Sequence, residues 1–193
     1  MRIHIFRHGE TQWTKSGKHT GWTDIELSPN GVEEALCLKE SLKNIRFDHV
    51  FASPLKRVKE TCVLAGYGNQ MQVDPTLLEW NYGAYEGLTT EEIWKKDPDW
   101  SIFTKDPPNG ETSKEVAIRV DLLLESLGAL GGEIALFSSG HISRAIVARW
   151  LGLGVSYGSL FYLSTASKSI LGFERKNRVI LLWNDTSHLN RPE

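Results

Sequence analysis

Cysteine is scarce. The 193 residues hold two, Cys37 and Cys62, both on predicted helices and neither in a Cys-x-x-Cys pair. That argues against a disulfide framework and reads as two reduced core thiols of a cytoplasmic protein. The six histidines are scattered, with no His-Glu-x-x-His motif, so no metal site and no cofactor are expected. No run approaches the roughly 18 apolar residues of a membrane helix. Met1-Arg2-Ile3-His4 enters a strand at once, so no signal peptide is expected. Net charge is only -2 and no basic stripe is visible, which argues against a nucleic-acid partner. Internal repeats and low-complexity tracts are also missing.

What is present is ordinary for a globular chain: 40% hydrophobic and 24% charged residues. The length suits one domain, 1–193, with a lid-like excursion at about 80–110. Arg2-Ile3-His4-Ile5-Phe6 alternates as a strand. A long polar stretch with Gly17, Gly21 and Pro29 follows, and loops of that length are more often functional than not. Helical spacing covers 31–44, with Val32, Ala35, Leu36 and Leu42 on one side. A strand is predicted at 48–52, ended by Ser53-Pro54, then a helix at 55–65. Leu77-Leu78-Glu79 reads as a short extended piece leading into an aromatic loop at 80–87. A short helix at 89–96 takes Thr89 or Thr90 as its cap. The Pro- and Asp-rich stretch 98–110 reads as a surface excursion. An amphipathic helix at 112–127 carries Val116, Ile118, Val120, Leu123, Leu124 and Leu127. A buried strand at 133–137, a helix at 143–151 and a hairpin of strands at 169–174 and 178–183 complete the pattern. Strands alternating with helices predict an α/β fold: a mostly parallel sheet covered on both faces, with an antiparallel edge.

Chemistry-bearing residues fall just after the strands or at helix starts. Arg7-His8-Gly9-Glu10-Thr11 puts an arginine and a histidine side by side at a strand's carboxyl end, where ligands bind in open α/β sheets. A neutral imidazole with one nitrogen held as N–H, for which the Gly9 carbonyl is a candidate acceptor, can attack phosphorus with the other. Arginine offers a planar fork of donors to phosphate oxygens. Arg57, on the first turn of the helix after the second strand, is a second candidate for that clamp, although Lys56, Lys59 and Glu60 would equally suit a solvated face. Glu79, a carboxyl entering an aromatic loop, is the candidate general acid. Phe137-Ser138-Ser139-Gly140-His141 is a second strand-to-helix turn whose free N–H groups suit an anion, and His141 is placed to stabilise a transferring phosphoryl group. Trp13, Trp22, Trp80, Tyr82 and Tyr85 are candidates to line a pocket.

The ordered set Arg7-His8-Gly9-Glu10-Thr11, Ser53-Pro54-Leu55-x-Arg57-x-x-x-Thr61, Leu78-Glu79-x-x-Tyr82-Gly83-x-x-Glu86-Gly87, Pro108-Asn109-Gly110-Glu111-Thr112 and Ser139-Gly140-His141 resembles the histidine phosphatase superfamily, the phosphoglycerate mutase-like family. Gly17-Lys18-His19-Thr20-Gly21 and the 78–87 block look most like its bacterial phosphatases near sedoheptulose-bisphosphatase and the sugar-phosphoglycerate phosphatases. The resemblance implies a three-layer α/β/α sandwich, a phosphohistidine on His8, phosphate held by Arg7 and Arg57, Glu79 as proton donor, and no metal. It also points to Thr14, Thr20, Gly21, Tyr82, Ser139 and Gly140 as substrate-binding positions. One departure stands out: Ser139 occupies the place of the family's second catalytic histidine, and His141 lies two residues later. Either His141 takes over that role, or Ser139 supplies a weaker hydrogen bond, or activity is reduced.

The expected activity is metal-independent hydrolysis of a small phosphorylated metabolite. A mutase that returns the phosphoryl group to the same molecule is the first alternative. It is disfavoured because the tail 184–193 is short and polar and 80–110 is the only sizeable lid. A phosphate-binding module without turnover is the second. A homodimer is a compatible assembly.

Overall fold

The computed structural model describes residues 1–189. Its centre is a six-stranded sheet in the order β3-β2-β4-β1-β5-β6, formed by β1 (Arg2–Arg7), β2 (His49–Ala52), β3 (Met71–Val73), β4 (Glu133–Ser138), β5 (Lys168–Glu174) and β6 (Asn177–Asp185). β1 and β2 flank β4 in parallel, and β3 extends β2 in parallel. β5 runs antiparallel to β1 and pairs with β6 as a hairpin, the predicted antiparallel edge. β3 was not foreseen: Met71-Gln72-Val73 is short and mostly exposed, too brief for an alternating signal.

Period-two alternation sorts the strands' side chains onto two faces. Ile3, Ile5, Ile134 and Leu136 join one core. That core also takes Val116, Val120, Leu123, Leu124 and Leu127 of α5 (Ser113–Leu130) and Ile142, Ile146 and Trp150 of α6 (Gly140–Trp150). Phe6, Ala135, Phe137, Val50 and Ala52 join the other, against Leu38 and Leu42 of α2 (Pro29–Leu42) and Val58 and Cys62 of α3 (Lys56–Leu64). The two short helices are α1 (Gln12–Lys15) and α4 (Thr90–Trp94). No helix among the described residues is long and apolar enough to cross a membrane.

Local signals set the boundaries. Ser28 caps α2, accepting from the Gly31 N–H, with Pro29 in the first turn. Thr89 and Thr112 form capping boxes with Glu92 and Glu115. Several expectations shift. Leu36 and Ile118 face solvent: the buried sets Ala35-Leu38-Leu42 and Val116-Val120-Leu123-Leu124-Leu127 follow the helical repeat without them. Leu77 closes a 3-10 turn, Pro75–Leu77, rather than starting a strand. The stretch 98–110 is anchored rather than purely superficial, because Trp100, Ile102 and Phe103 are buried in the α5/α6 core. α6 begins at Gly140, three residues earlier than expected, and this puts His141 on its first turn.

Candidate active site

β1 and β4 are central neighbours, and Arg7 pairs with Ser138 at their carboxyl ends. The residues that follow those ends, together with the start of α3 beyond β2, therefore converge on one edge of the sheet. A cavity of about 90 Å³ opens there, lined by Arg7, His8, Thr14, Thr20, Arg57, Glu79, Tyr82, Gly140 and His141. Lys18, His19, Arg144 and Leu163 complete the lining and were not anticipated. His19 sits in the 17–21 loop already singled out, and Arg144 lies one helical turn beyond Gly140, so their spacing offered a signal.

His8 is buried, and both ring nitrogens are assigned by their surroundings. Nδ1 lies 2.8 Å from the Gly9 carbonyl and so carries the proton, while Nε2 accepts from Arg57 Nε at 3.2 Å. Burial first, then the charges of Arg57 and Arg7, hold its pKa well below the ordinary 6.5, so the ring is neutral. Gly9 is obligatory for close approach: a Cβ there would stand 2.3 Å from the Gly31 carbonyl oxygen.

Arg57 is fully buried, so the solvated-face alternative is set aside. Its Nη1 and Nη2 donate to the carbonyls of Thr23 (3.0 Å) and Gly21 (2.8 Å), locking the first loop onto α3. Asp24 of the same loop accepts from the Lys56 N–H at the helix start, at 2.7 Å. Glu86 holds the loop from the other side through the N–H groups of Trp22 and Thr23. Gly21 does not line the cavity. Its φ of +55° and the nearby Glu86 carboxylate explain the glycine. Arg7 donates from Nη1 to the Leu163 carbonyl at 2.6 Å, while its buried Nε finds no partner among the described residues. That orphan donor faces the side where Gly140 leaves room, since a Cβ at 140 would lie 3.3 Å from it.

Glu79 is 5% exposed and bound to the start of α6. Its Oε1 accepts from the N–H groups of Trp80 (2.9 Å) and Ile142 (2.7 Å), and Oε2 from that of His141 (3.0 Å). The free amides of a helix N-terminus thus orient the carboxylate. An ion pair supports the segment from behind. Arg119 Nη1 donates to the carbonyls of Thr76 and Leu78, and Glu111 accepts from Arg119 and from the Asn81 N–H. This gives Pro108-Asn109-Gly110-Glu111 a structural task.

The second turn separates its two candidates. Ser139 is fully buried, its Oγ has no partner among the described residues, and it is absent from the cavity lining. His141 lines the cavity and shares a short hydrogen bond with the Tyr82 hydroxyl through Nδ1. Burial, then the Arg144 charge, pushes the His141 pKa well down, and burial, then Glu79, pushes Tyr82 well above 10. Tyr82 therefore donates to Nδ1, and the neutral imidazole carries its proton on Nε2. Thr14 is partly spent: its hydroxyl closes the Thr11 capping box of α1.

The chain matches the family model of the histidine phosphatase superfamily (branch 1) over residues 3–186. An acid phosphatase of Mycobacterium tuberculosis is 38% identical, over 97% of this chain and 94% of that protein. Sedoheptulose 1,7-bisphosphatase of Saccharomyces cerevisiae is 33% identical, over 80% and 69%. A solved structure of a Mycobacterium tuberculosis open reading frame superposes with a TM-score of 0.90 at 37% identity, covering 95% and 96% of the two chains. The chain belongs to branch 1 of the histidine phosphatase superfamily and is a phosphatase.

Proposed function

We propose that the protein hydrolyses a small phosphate monoester through a phosphohistidine on His8. The observation that carries this is the pairing of a neutral imidazole, its Nε2 lone pair turned to Arg57, with two buried guanidinium groups and a fixed carboxylate around one cavity. Arg7, with its unspent Nε, and Arg57 hold the phosphoryl oxygens. Arg57 Nε turns from His8 to a phosphoryl oxygen, freeing Nε2, which attacks phosphorus as the ester P–O bond breaks, and the departing alkoxide takes a proton from Glu79, which enters this step as the carboxylic acid. Oε2 accepts one hydrogen bond and Oε1 two, so Oε2 is the oxygen with room to carry that proton. Water then attacks the phosphoimidazole, gives its proton to Glu79, and the N–P bond breaks to release phosphate and restore both groups. His141, with its proton on Nε2, steadies the transferring group in place of the family histidine that Ser139 replaces. In this reading 1–193 works as one domain, with 80–110 as its lid-like excursion, of which Tyr82 lines the cavity.

The test is p-nitrophenyl phosphate hydrolysis near pH 6.5 with EDTA present. Turnover should survive the chelator and vanish in His8→Ala, and quenched enzyme should carry acid-labile phosphate. Phosphate-dependent thermal stabilisation without turnover would instead indicate a binding module. Isomerisation of a substrate without phosphate release would indicate a mutase.

A further inference from the structure

A second cavity of about 250 Å³ shares His19, His141 and Arg144 with the first and is otherwise walled by Thr90, Trp94, Trp100, Ser101, Ile102, Phe103 and Ser159. We propose that it receives the alcohol half of the substrate, and that this half carries a flat, apolar ring. The proposal rests on the phosphatase reading above and specifies its substrate class.

Three observations support it. The walls are rings: Trp94, Trp100 and Phe103 with the imidazoles of His19 and His141, the latter 5.3 Å from Phe103 and 5.9 Å from His19. An apolar cavity of about 150 Å³ is enough to take benzene, so the space admits one substituted ring. The few hydroxyls in the wall each already make one hydrogen bond within the protein. Thr90 meets His19 Nε2 at 3.2 Å, Ser159 donates to the Ser156 carbonyl, and Ser101 accepts from the Phe103 N–H. No Asp, Glu, Asn or Gln stands among the described residues of the lining. A polyol would bring several hydroxyls with few partners to receive them, and each one left unpaired on burial is disfavoured. An ammonium group would find no carboxylate. Burial holds His19 at about 4, so at neutral pH the single charge in this wall is Arg144. Its guanidinium stacks 4.5 Å from Phe103 and donates to the Gly158 and Ser159 carbonyls. A neutral or anionic ring substituent is tolerated beside it and a cationic one is not.

The experiment compares 3-phenylpropyl phosphate with butyl phosphate, esters of alcohols of similar acidity, and adds glycerol 3-phosphate and phosphoserine. Affinities of 3-phenylpropylphosphonate and butylphosphonate, which cannot be hydrolysed, are measured by calorimetry beside them. The expected result is a kcat/KM at least about tenfold higher, and a Kd at least about tenfold lower, for the phenyl compound of each pair. Trp94→Ala, at a half-exposed position, should reduce both ratios below about threefold. Equal values for the phenyl and butyl compounds, a preference for the polyol or the amino acid, or ratios untouched in Trp94→Ala would each overturn the proposal. If no ester is hydrolysed, the phosphatase mechanism fails, and the phosphonate affinities still decide the ring subsite.

Discussion

Lowering the pH of the unliganded protein from 8 to 5 should destabilise it through its imidazoles. His8, His19 and His141 are all held neutral by burial, His19 with a pKa of about 4. In the unfolded chain each returns to about 6.5. Below that value the unfolded state binds protons that the folded state resists, so stability is complete above about pH 6.5 and falls as pH drops. For His19 alone the loss ends near its folded value and totals about 3 kcal/mol. Against a typical stability of about 5–15 kcal/mol that single contribution is a substantial fraction. Asp185, held at about 2 by the Ser187 and Lys168 contacts that outweigh its burial, loses its contribution only below 3.8, outside this window. The assay is urea denaturation at half-unit pH steps. His19→Gln should flatten the decline between pH 6.5 and 4 by about 3 kcal/mol. Stability that is flat between pH 7 and 5 would refute the neutral-histidine argument.

Other outcomes follow from the same geometry. Ser139→Ala should change kcat by less than about twofold, because the Ser139 Oγ has no partner and stands outside the cavity, whereas His141→Ala should lose about 10²–10³-fold in steady-state kcat. Arg57→Lys should weaken phosphate-dependent thermal stabilisation and destabilise the protein by about 2–3 kcal/mol in denaturant titrations, because an ammonium cannot reach His8, Gly21 and Thr23 together. Arg119→Met should destabilise by about 2–4 kcal/mol by stranding the largely buried Glu111 carboxylate. Its kcat should fall more than its KM rises, because the segment holding Glu79 loosens. A double variant with Glu111→Gln should recover part of the stability.

Much of this protein is legible along the chain because the signals are local. Alternation at 2–6 and the apolar run at 134–137 mark buried parallel strands, Ser28-Pro29 and the Thr-x-x-Glu boxes mark helix starts, and four of the five short motifs mark positions that meet at the sheet edge. What failed was also local. Leu36 and Ile118 are apolar yet face solvent, because apolar character alone does not set a helix's phase. Met71–Val73 is a strand because β2 offers it an edge, not because of its own composition.

The chemistry of the site belongs to the tertiary structure. Arg57, flanked by charged residues, has the local signature of a solvent face, and only the fold of 20–24 over α3 buries it against His8. Ser139 and His141 are two residues apart, and nothing in their spacing says which faces the cavity. That choice is made by α6 starting at Gly140, which directs its amides to Glu79 and the His141 ring to Tyr82. Side-chain type and spacing set which groups are available. Burial and long-range contact, which depend on the whole sheet being assembled, set their protonation, their direction and the rings that surround the second cavity.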